Sequence, residues 1–125
     1  MTARSFSLLA LLVAIPVIVS AASDNDPYRL CRDTALLNRY IADARNNQQY
    51  LQDWIAAYEQ YAQRLEAAKG LNSLEARKDA RRDAKDTYDD ARKDARERLR
   101  DRDEDIDDIY DNARDACRAI RGTNG

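Results

Sequence analysis

An all-α fold is predicted here: a long antiparallel helical hairpin, coiled-coil-like, closed by one disulfide. Three observations predict it. From Pro27 to Arg121 the chain holds no other proline and one glycine, Gly70, which divides it into two long stretches. Each stretch carries an apolar repeat of helical spacing. The only cysteines, Cys31 and Cys117, lie near the outer ends of the two stretches, where a fold-back near Gly70 brings them together.

The first element is a leader. Arg4 precedes an uncharged, mainly apolar run over residues 6–22, interrupted by Ser7, Pro16 and Ser20 and ending in small residues. That order reads as a secretory signal peptide over residues 1–22, cut after Ala21 or Ala22. At 17 residues the run is shorter than the roughly 20 apolar residues of a spanning helix. Cys31 follows Tyr28-Arg29-Leu30 rather than small residues, which argues against a lipid-modified cysteine. Residues 23–125 are then one domain in the secreted or periplasmic space. An oxidising compartment makes a Cys31–Cys117 disulfide the default, and loop closure over their separation of 86 residues contributes about 4 kcal/mol.

Helix 1 is expected over about 27–69. Asp26 and Pro27 suit an N-cap and first turn, and Gly70 suits a C-terminal cap. Along it Leu30, Leu37, Ile41, Ala44, Leu51, Ile55, Tyr58, Ala62 and Leu65 recur at alternating spacings of three and four, with Thr34 and Gln48 as polar members. This is a coiled-coil seam and is expected to face the second helix. One position earlier runs a second stripe of Leu36, Tyr40, Tyr50, Trp54, Ala57, Tyr61 and Ala68. A lone hairpin would leave that stripe in water.

The turn is expected at 70–73, with Asn72 and Glu75 as a capping box for helix 2, about 73–121. Helix 2 repeats every 11 residues. Ala84, Ala95, Ile106 and Cys117 form one column, Tyr88, Leu99 and Tyr110 another, and Ala80, Ala91, Arg102 and Ala113 a third. Eleven residues over three turns is 3.67 per turn, which keeps each column on one face. The midpoint of the cysteines is residue 74, slightly beyond the turn, which leaves a mismatch of about one and a half helical turns between the arms.

Charge and chemistry narrow the function. The formal net charge is -2, with a basic block at 76–100 followed by an acidic one at 101–111, so nucleic acid is not an implied partner. Asp101, Asp103 and Asp105 match the opening of a calcium loop and are the weak metal candidates. Ile106 stands where that loop needs glycine and Asn112 where it needs glutamate, so the stretch reads as helix. Complementary charge from Arg29, Arg32, Arg39 and Arg45 across the hairpin is its simpler role. With no histidine in the chain, a Ser-His-Asp or Cys-His arrangement is excluded, and a non-enzymatic protein without cofactor is expected.

The Ala, Lys/Arg and Asp/Glu repeats at 80–121 resemble those of group 3 late-embryogenesis-abundant proteins and of exchangeable apolipoproteins. The resemblance is compositional and implies a surface-active, lipid-facing or desiccation-protective helix. The residues themselves point instead to a protein-binding or structural module working through Leu36, Tyr40, Tyr50, Trp54 and Tyr61 on helix 1, since Tyr and Trp dominate interface hot spots. If two hairpins pair through that stripe, a homodimeric four-helix bundle results. The competing classes are a secreted inhibitor, immunity or effector protein, a stress-protective or lipid-associated helix, and a weak divalent-cation-binding envelope protein.

Overall fold

The computed structural model describes residues 26–122, and the signal-peptide expectation for 1–22 lies outside them. Two helices make up the described chain, α1 over Pro27–Lys69 and α2 over Leu74–Gly122, packed antiparallel along their length. Cys31 and Cys117 are joined with their Cα atoms 5.7 Å apart, so the expected disulfide-closed hairpin is the fold.

The helix ends follow local chemistry. Asp26 caps α1 by accepting a hydrogen bond from the Tyr28 N–H at 3.0 Å, with Pro27 in the first turn, where its missing N–H costs nothing. Gly70 closes the helix in a right-handed conformation, φ -77°, and its N–H reaches the Ala67 carbonyl. The cap of α2 falls one residue later than the expected Asn72. Ser73 Oγ accepts from the Ala76 N–H at 3.0 Å, and the Ser73 carbonyl accepts from the Arg77 N–H. Ser73 is therefore the last residue outside the helix, and Ala76 stands at the third helical position, where a capping box needs Glu or Gln.

A constant register runs from the disulfide toward the turn. Cys31 with Cys117, Asn46 with Arg102, Trp54 with Arg92 and Tyr61 with Tyr88 are cross-hairpin neighbours whose numbers add to within two of 148. Lys69 is then level with Asp79. The mismatch expected from the sequence is taken up at the tip, where the first turn of α2 overhangs the end of α1. Arg77 closes the tip by donating to the Leu71 carbonyl at 2.8 Å.

The faces that meet differ from those expected. The buried residues of α1 are Ala35, Asn46, Ala57 and Ala68, spaced by 11, and not the seven-residue seam. At the observed register they lie level with Ala113, Arg102, Ala91 and Ala80, the third column of α2. Ala84, Ala95 and Cys117 of the first column are essentially inaccessible. The physical reason is shared winding. Two helices in contact over ten turns need faces of the same period, and α2 offers 3.67 residues per turn. A seven-residue stripe would drift by about 30° per heptad away from that face. Alanine columns on both sides also let the backbones approach where bulky side chains would hold them apart.

Candidate functional site

The stripe expected to stay free is mostly spent on the hairpin. Leu36, Tyr50, Trp54 and Tyr61 are only partly exposed, and Tyr40 alone, at 57%, remains open. Tyr61 stacks on Tyr88 at 5.0 Å between ring centroids, and Tyr58 lies 5.4 Å from the same ring. Trp54 packs edge-on to Tyr50 at 5.9 Å and carries the Arg92 guanidinium 4.3 Å over its face. Such stacked and cationic contacts are worth about a kcal/mol each when partly desolvated. Trp54, Tyr58 and Tyr61 thus pack across the hairpin, against Arg92 and Tyr88. A hydrogen bond to Tyr58, then desolvation, hold the Tyr88 phenol above its usual range, with Arg92 opposing.

A polar layer interrupts the alanine columns. Asn46 is 4% exposed, donates to the Leu99 carbonyl at 3.1 Å and to Asp103 at 2.6 Å, and accepts from Arg102 Nε. Asp53 flanks the layer, 3.5 Å from Arg98 and 3.9 Å from Arg102. The polar run at 46–49 thus supplies the buried amide that fits one register. An 11-residue count along helix 1 would have exposed this signal, because Asn46 is the single polar member of an otherwise all-alanine column.

The acidic stretch is helical throughout. Asp101 and Asp105 lie exposed, Asp103 turns toward Asn46, and among the described residues no three Cys or carboxylate groups are placed to hold a metal ion. Successive odd positions on a helix point away from one another, which is why the spacing of a calcium loop cannot converge here. Among the arginines expected opposite this stretch, Arg39 pairs across the hairpin with Asp107 at 2.6 Å and covers the Tyr110 ring at 4.9 Å.

What the hairpin leaves in water is the seven-residue seam. Leu30, Leu37, Ile41, Leu51, Ile55 and Tyr58 are between 48% and 62% exposed. Because the stripe drifts relative to the buried column, it crosses the outer face of α1 obliquely and returns to the inter-helix groove near the turn, where Tyr58 touches Tyr88 and Leu65 is half-buried. Among the described residues no helix is long and apolar enough to cross a membrane.

Alanine columns, a central polar layer and an unused heptad stripe define the class: a disulfide-closed helical hairpin with an open apolar face. Comparison with family models, with curated proteins and with solved structures returns no match.

Proposed function

We propose that this is an exported, non-enzymatic helical module that binds protein through the outer face of α1. The carrying observation is the stripe itself. Six large apolar side chains at a/d spacing stand about half exposed, and the buried column of α1 consists of other residues. Monomers rarely expose apolar patches above a few hundred Å², and larger ones mark interaction sites; alternating three and four spacing over about ten turns matches a helical partner. Export is supported by the disulfide, which persists in oxidising compartments, and by the signal peptide expected over residues 1–22. The working residues are Leu37, Ile41, Leu51, Ile55 and the neighbouring Tyr40, in place of Trp54 and Tyr61, which already serve α2.

Photocrosslinking in the producing cell tests this reading. A photoreactive residue in place of Ile55 is expected to capture protein, and the same residue in place of Arg81, exposed on α2, is not. Equal adducts at both positions, or none at either, would remove the outer stripe as the binding face. Vesicle binding without a protein adduct would transfer the protein to the lipid-associated class.

A further inference from the structure

We infer that the occupant of the outer stripe is a second copy of this chain, paired in parallel and in register through α1, an inference that rests on the binding face proposed above. Three observations carry it, and the first is the distribution of side-chain shapes. Read as a heptad, the a positions are Thr34, Ile41, Gln48, Ile55 and Ala62, and the d positions are Leu30, Leu37, Ala44, Leu51, Tyr58 and Leu65. Three of the five a residues are β-branched and four of the six d residues are leucine. That partition favours a parallel two-stranded coiled coil.

The second observation is Gln48. It is the one amide in the stripe, sits at an a position near its middle, and is exposed in the single hairpin. In a parallel, in-register pair the two Gln48 amides face each other across the two-fold axis, each able to donate and accept. Antiparallel layers set a against d, which would place Gln48 opposite Leu51 or Ala44 and leave a desolvated amide without a partner. The amide therefore selects both orientation and register.

The third observation is area. Each half-exposed Leu, Ile or Tyr leaves on the order of 100 Å² of surface in water. Leu37, Ile41, Leu51 and Ile55 give roughly 400 Å² per copy, and Leu30, Tyr40 and the aliphatic stems of neighbouring polar residues bring this toward the ~800 Å² per partner of a standard interface. Near the turn the stripe runs into α2, so the contact is centred on residues 37–55. A left-handed α1–α1 seam then coexists with the nearly untwisted α1–α2 seam, each set by its own repeat.

The test is light scattering on the oxidised chain, residues 23–125, across micromolar concentrations. The expected mass is that of two chains. Ile55→Asp should return the mass of one chain with helix content and melting cooperativity retained, since Ile55 is 55% exposed and contributes little to the hairpin. Lys78→Glu, on the exposed face of α2, should leave the dimer intact. Orientation is read from Leu37→Cys, which should cross-link to itself in the parallel pair. An antiparallel pair sets residue 37 near residue 62 or residue 55, about 27–37 Å away from its own counterpart. A single-chain mass for the unaltered protein overturns the inference, as does a cross-link that Leu37→Cys forms with Ala62→Cys or Ile55→Cys and not with itself. If the unaltered chain is monomeric and Ile55 still captures another protein in the cell, the second copy is excluded while the binding face stands.

Discussion

Asn46 shows how one side chain specifies an arrangement that alanines alone would leave degenerate. Its amide makes three contacts with α2 in a layer that is otherwise small and apolar. Removing one partner of a buried polar pair costs the desolvation of the other. Asn46→Leu is therefore expected to destabilise the hairpin by about 1–3 kcal/mol in denaturant titration. Asn46→Ala combined with Arg102→Ala completes both alanine columns, and most of that loss should be recovered. A double variant as unstable as the sum of the two singles would mean that the layer contributes energy beyond specifying register. The same scale explains the start of α2. Ser73→Ala should cost about 1 kcal/mol because its hydroxyl holds the Ala76 N–H, while Asn72→Ala should leave the melting temperature within a degree or two.

At the level of elements, the two helices differ in what their repeats are for. The 11-residue columns of α2 serve the hairpin, and α1 answers them with a column of its own while carrying a seven-residue stripe on its outer face. The aromatic row beside the columns has a pH signature. Tyr88 is raised above its ordinary value of 10.0, first by the hydrogen bond to Tyr58, so the fold favours the neutral phenol. That contribution is fully present below pH 10 and is lost as pH rises through the folded-state value. Lys85, raised by its bond to Asp89, works in the same direction. Melting should therefore fall on the alkaline side, and Tyr88→Phe should flatten that fall. An unchanged alkaline limb in Tyr88→Phe would assign it to other groups.

For the whole molecule, register is held by the turn, the polar layer and the disulfide. The interface is only as wide as two alanine-faced helices, so the staple at the far end carries a large share of the stability. Reducing Cys31–Cys117 should lower stability by about 4 kcal/mol, roughly 20 °C in melting temperature for a domain of this size, while far-UV circular dichroism at low temperature stays helical. Melting unaffected by reductant would show that loop entropy is not what the bond contributes.

The sequence by itself determined the two helices, the position of the turn, the disulfide and the helical state of the acidic stretch. These depend on local chemistry: Asp26-Pro27 as a start, Gly70 as an interruption, and periodicities that survive over many turns. Tertiary structure alone decided which stripe of α1 meets α2. Both stripes are apolar, and composition ranks the Leu and Ile stripe as the better core. The choice went to Ala35, Asn46, Ala57 and Ala68 because packing two long helices is a matching of periods and of backbone clearance, and a period can be matched only once the partner's is known. That decision also exchanged the candidate sites: Trp54 and Tyr61 went to the hairpin, and Leu37, Ile41 and Ile55 were left to solvent.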